Sequence, residues 1–162
     1  MRKSSMAMPR WVTRGPAKPH YWMYAPGVEG VKWDEFTCDG VAALGWGKLG
    51  DLRAFDGKES IQRAVAENYG GEGSHKNDAL ALWQFANEML SGDIVFAKRG
   101  TSKIIGRGVV RSPYRFDESR GDMYRHVCDV EWTDRGEWEY PEGRADEDPH
   151  RPYTFHCPGR GA

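Results

Sequence analysis

Leu90-Ser-Gly-Asp-Ile-Val-Phe-Ala-Lys-Arg-Gly-Thr-Ser-Lys-Ile-Ile-Gly-Arg-Gly-Val-Val110 is the stretch on which the fold turns. It reads as a helix end, a Gly-Asp stop, then two strands joined by a polar turn. Ile94 to Ala97 is a short apolar run with β-branched content. Lys98 to Lys103 is charged, small and glycine-containing, as a hairpin loop should be. Ile104, Ile105, Val109 and Val110 resume the strand signal, interrupted by Gly106 and Gly108. Glycine inside a strand marks a bulge, a barrel corner or a close backbone approach. The stretch therefore predicts a strongly bent hairpin at the centre of a small curled sheet.

Outward from the hairpin, the chain alternates short strands with helices. His20–Ala25 reads as a first strand and Val41–Trp46 as a second. Between them, Val28–Asp39 is irregular, anchored by Trp33 and Phe36, with room for one helical turn. Lys58–Tyr69 has helical spacing of Ile61 and Val65. A second helix, capped by Asn77 or Asp78, carries Ala79, Leu82, Trp83, Ala86, Met89 and Leu90 on one stripe. Arg111–Arg120 reads as a loop with Tyr114 and Phe116. Tyr124–Trp132 is an alternating strand with His126, Cys128, Val130 and Trp132 on one face. Pro152–Cys157 reads as one more short strand. The sum is an α+β fold with a curled sheet of about five or six strands and flanking helices. Residues 1–18 read as a flexible basic arm and 19–162 as a single domain whose part from about 134 is acidic and Pro/Gly-rich.

With 162 residues, one domain is the default. Net charge is −1, but it is unevenly spread. Eight bases fall between Lys98 and Arg125 against three acids, and acids dominate from Asp129 to Asp148. Such a split predicts a cationic face suited to phosphate. Three cysteines without C-x-x-C spacing argue against a disulfide framework and for a reducing, cytoplasmic setting. No apolar run is long enough to span a membrane, and the basic N-terminus lacks the apolar core of a signal peptide. Gly106-Arg107-Gly108 lacks the third glycine and following helix of a dinucleotide site. No phosphate-loop lysine motif and no nucleophile motif such as G-x-S-x-G occurs.

The ordered series Tyr21–Gly27, Leu44-Gly45-Trp46-Gly47 with Gly50-Asp51-Leu52, Gly92–Val95, Ile104–Val110, Tyr114 and His126–Trp132 resembles an EVE-type domain. These belong to the PUA-like superfamily, with the YTH readers of methylated RNA. This version is most similar to the N-terminal EVE-like domains of McrB-type modification-dependent restriction proteins. The resemblance covers roughly His20 to Thr133. It implies a small barrel-like fold that binds an extruded or single-stranded base in an aromatic cage, a modified base in DNA for the restriction-linked members. It implies a non-catalytic specificity module with no cofactor, whose partners are double-stranded DNA and a separate restriction motor or nuclease.

The physical requirements of such a reader select the candidate residues. A methyl group adds only about 1 kcal/mol on burial, whereas stacking contributes roughly 1–3 kcal/mol per aromatic. The polar edge of the base must also be met, and extrusion costs a few kcal/mol. The position of Trp46 matches the family's first cage tryptophan, and its glycine neighbours permit close approach. Tyr114 and Phe116 lie on the loop where related readers place a further wall, and Trp33 is a weaker fourth candidate. Trp22, Trp83 and Trp132 read as core. Tyr24, Ala25, Pro26 and Asp51 are candidates for the base edge. Lys98, Arg99, Lys103, Arg107, Arg111 and Arg115 are candidates for phosphates. Two readings compete: an RNA-binding PUA/YTH-like module, and a domain using its cationic hairpin for a protein partner. A zinc site at His126, Cys128, His156 and Cys157 is disfavoured because consecutive extended residues point opposite ways.

Overall fold

The computed structural model describes residues 18–121 and 123–139, and the backbone of 153–155. Its elements run β1 (Tyr21–Tyr24), α1 (Trp33–Asp39), β2 (Val41–Leu44), α2 (Lys58–Tyr69), α3 (Lys76–Asn87), β3 (Ile94–Arg99), β4 (Lys103–Val110), β5 (Arg115–Phe116), β6 (His126–Glu139) and β7 (Tyr153–Phe155). The strands form one mixed sheet in the order β2-β6-β4-β3-β1-β7, with β5 also on β6. β1 lies parallel to β3 and β7; the other pairs are antiparallel. The α+β class and the curled sheet match the expectation. The extra strand is the two-residue β5, which pairs Arg115 with Val127 inside a segment that reads as loop. Most of the basic arm and the tail from 140 onwards, β7 apart, lie outside the described residues. Among the described residues no helix is long and apolar enough to cross a membrane.

The hairpin bends where the glycines stand. Register shifts fall between Ile104 and Gly106 and between Arg107 and Gly108 in the β4–β6 ladder, and bulges of this kind twist and bend a strand. Both glycines also allow close approach. A Cβ on Gly106 would lie 2.3 Å from the Trp33 ring, and one on Gly108 would lie 2.5 Å from Val130 and 2.7 Å from the Trp132 ring. The curl brings β1 to face β2. There the Tyr24 hydroxyl donates to the Ala43 carbonyl at 2.6 Å and accepts from the Ala43 N–H at 2.9 Å. One side chain thus stands in for a strand pair at the gap of the half-barrel.

The Gly-Asp stop is a buried polar junction. Asp93 is fully buried, and its carboxylate accepts from the His20 N–H, the Trp22 indole N–H and the Leu90 N–H at 2.9–3.0 Å. It fixes the start of β1 to the start of β3. The apolar core behind it includes Trp22, Phe36, Leu44, Leu52, Ile61, Leu82, Phe85 and Ile105.

Three local expectations change. The irregular segment contains a seven-residue helix, α1, closed by Gly40 in the left-handed region, the usual device for ending a helix. α3 starts from His75, itself left-handed at φ 54°, rather than from Asn77 or Asp78. β6 continues past Trp132 to Glu139, because Asp134 to Glu139 pair with Lys103 to Arg107. The beginning of the acidic tail is therefore strand.

Candidate functional site

Trp46 sits just beyond β2, where the backbone turns into a 3-10 turn at Gly47–Leu49. Its own φ is +64°, a conformation uncommon for a residue with a side chain and informative when held by its surroundings. Holding it is a chain of hydrogen bonds. The Leu52 N–H donates to the Tyr114 hydroxyl at 3.0 Å. That hydroxyl lies 2.8 Å from His126 Nδ1, and His126 Nε2 lies 3.0 Å from the Trp46 carbonyl oxygen. A carbonyl can only accept, so the proton sits on Nε2, and Nδ1 accepts from the Tyr114 hydroxyl. Every link then has one direction.

Burial fixes the protonation states. His126 is fully buried, and desolvation pushes its pKa down to about 4, opposed by the bond to the Trp46 carbonyl. Desolvation also pushes the Tyr114 hydroxyl up to about 12. The chain is uncharged at neutral pH. Phe116 packs on the same imidazole, ring centroids 5.5 Å apart, and Phe85 meets Tyr114 edge to face.

Asp51 and Arg53 complete the loop. Asp51 accepts from the Arg53 N–H at 2.9 Å and from its guanidinium at 2.6 Å. This interaction holds the Asp51 carboxyl below its usual range. The Arg53 guanidinium lies 5.7 Å from the centre of the Tyr114 ring. Asp51 thus orders the loop. Lys48 donates its backbone N–H to the Tyr69 hydroxyl, and its ammonium lies over that ring.

The structure therefore gathers Trp46, Tyr114, Phe116 and Asp51 around His126. It places the other candidates elsewhere. Trp33 packs on Gly106 and, edge to face, on Trp132. His126 and Trp132 are six residues apart on β6, roughly 20 Å of extended strand, so Trp33 packs at the middle of that strand and away from its His126 end. The Tyr24 hydroxyl is committed to Ala43. The Ala25 carbonyl accepts from the Gly27 N–H and the Pro26 carbonyl from the Lys32 N–H. Trp22 is a core residue and Trp132 is half-buried against the core; their indole N–H groups are bonded, to Asp93 and to the Val41 carbonyl. Trp83 is half-buried against the core.

Trp46 is only 5% exposed, and Tyr114 equally so. Among the described residues, the His75 Nε2 is the one buried side-chain nitrogen or oxygen without a partner. The Trp46 indole N–H makes no hydrogen bond there either, and it therefore reaches solvent. On either side, Gly45 and Gly50 have open space where a Cβ would stand.

The basic candidates form a ladder with the acidic row of β6. Arg111 pairs with Glu131 at 2.8 Å and Arg115 with Asp129 at 2.7 Å. Arg107 lies 3.9 Å from Asp134, while Arg99 and Lys103 both meet Glu137. Lys98 is also engaged. The basic and acidic halves of the sequence thus face one another across adjacent strands. His126, named in the zinc reading, has both ring nitrogens occupied, and the Cys128 thiol faces the Met89 sulfur at 3.7 Å. His156 and Cys157 lie outside the described residues.

Sequence reasoning placed His126 on the inward row but missed its bonds to Tyr114 and Trp46. They join residues 12 and 80 positions apart, and no local pattern signals such a pairing. Residues 22–148 match a protein family described as a domain of unknown function, DUF8426. No curated protein matches the chain.

Proposed function

We propose a function for a chain that belongs to the DUF8426 family over residues 22–148: it is a non-catalytic reader of a modified base in DNA. The reading takes the curled sheet as a PUA-like, EVE-type domain and the chain as the specificity module of a modification-dependent restriction system. The observation that carries it is the Trp46 loop. A tryptophan in a left-handed turn, gripped through its carbonyl by a buried histidine and flanked by open glycines, is a preorganised ligand contact.

The covered ring faces set a condition on the mechanism. A base reaches the solvent-facing edge of Trp46 directly, whereas face stacking requires the Gly45–Asp51 loop to move aside. Lys48, within that loop and without a carboxylate partner among the described residues, is the base this reading assigns to phosphate contact. Duplex phosphates compete with the β6 carboxylates for the arginines of β4 and β5.

The test is a binding panel of short duplexes differing only in one base: unmodified, 5-methylcytosine, 5-hydroxymethylcytosine or N6-methyladenine, with single-stranded DNA and RNA counterparts. The reading expects one modified DNA to bind at least tenfold more tightly than its unmodified twin. Preference confined to RNA supports the RNA-module reading, and absence of any preference overturns both.

A further inference from the structure

We infer that Trp46 meets its ligand edge-on, as a hydrogen-bond donor through its indole N–H, and that Tyr114 and His126 are positioning residues rather than cage walls. The inference rests on the reader proposal for the identity of the ligand, but its geometry stands apart. Buried tryptophans ordinarily satisfy their N–H, as the fully buried Trp22 does here with Asp93. Trp46 is as well covered as a core residue yet keeps this donor unpaired and open to water, as Trp33 also does; only Trp46 adds open space at Gly45 and Gly50 and a buried histidine on its carbonyl. With 5% of the residue exposed, the N–H is the polar group that it can offer a ligand.

The backbone that carries that donor is held from behind. The Trp46 carbonyl accepts from His126 Nε2–H and so sets the tautomer, Nδ1 accepts from the Tyr114 hydroxyl, and that hydroxyl accepts from the Leu52 N–H. Leu52 follows Asp51, whose carboxylate clamps Arg53. The relay thus ties both ends of the Trp46–Leu52 loop to one imidazole and fixes the backbone that carries the indole. A donor selects an acceptor. The ligand atom it takes is a ring nitrogen or carbonyl oxygen of a base, not an exocyclic amine. Because an unpaired buried group is costly, such a contact rejects a base that presents a donor there.

Two measurements decide this. In the free protein, nitrogen NMR of His126 is expected to show the Nε2–H tautomer from pH 5.5 to 8, with the Trp46 indole proton exchanging rapidly with water. The Nδ1–H tautomer or a strongly protected Trp46 indole proton overturns the relay or the open donor. Both readouts use the wild-type chain and need no ligand. With the tightest duplex of the panel, Trp46→Phe, which keeps a ring and loses the donor, is expected to weaken binding at least tenfold. Tyr114→Phe is expected to weaken it less and to increase the hydrogen exchange of the Trp46–Leu52 backbone amides. Wild-type affinity in Trp46→Phe overturns the donor role. If no oligonucleotide in the panel binds the wild-type chain, the reader proposal fails and takes the ligand assignment with it, while the NMR result still decides the relay.

Discussion

His126 is a buried base that stays neutral because its surroundings cannot solvate a charge. Its pKa is pushed from 6.5 to about 4 in the folded chain. Between those values the unfolded chain binds a proton here that the folded chain does not, so this residue lowers stability as pH falls from about 6.5 towards 4. Above 6.5 it contributes no slope. The full loss is about 3 kcal/mol. Urea unfolding at pH 7.5 and pH 4.5 is expected to show it, and His126→Gln should flatten the slope between them. An equal slope in that variant would assign the protons to other groups. Gly106 is the second residue whose role is steric. Gly106→Ala would drive a methyl group into the Trp33 ring and is expected to cost about 1–3 kcal/mol, read as a lower urea midpoint with unchanged m.

At the scale of elements, the half-barrel depends on how β1 is joined to β2. The two share one side-chain bridge, from Tyr24 to both backbone groups of Ala43. Tyr24→Phe keeps the ring between Phe36 and Trp132 but leaves a buried N–H and a buried carbonyl unpaired. Each such group costs about 1–3 kcal/mol, so the variant is expected to melt several degrees lower. Amide exchange should rise first in β2 at Ala43. A loss spread evenly over the sheet would mean that the bridge does not hold that edge. The same scale explains the long β6. Its outer half exists because β4 offers it a partner of opposite charge and matching length.

For the whole molecule, the main electrostatic feature is the ladder between β4 and β6. Exposed pairs of this kind add only about 0–1 kcal/mol each to stability, but they cancel a basic face that would otherwise attract phosphate. Replacing Asp129, Glu131, Asp134 and Glu137 by their amides should free Arg99, Lys103, Arg107, Arg111 and Arg115. DNA affinity should then rise for modified and unmodified duplexes alike, with a steeper salt dependence. Unchanged affinity at low salt would show that nucleic acid does not approach this face.

Much of the architecture was legible in the sequence. The spacing of Ile61 and Val65 marked α2, and the apolar runs around Gly106 and Gly108 marked a bent hairpin. Both signals are local, since helix and strand periods are written in neighbouring side chains. The left-handed turn at Trp46 was foreshadowed only by its glycine neighbours. Tertiary structure alone decided the rest. It set the Tyr114 hydroxyl and the Trp46 carbonyl on the two nitrogens of one imidazole, and it laid the acidic segment along the basic strand. It also set Trp46 at the His126 end of β6 and Trp33, on a segment that reads as irregular, against its middle. Composition fixes which charges and rings a chain carries, but strand register determines which of them meet.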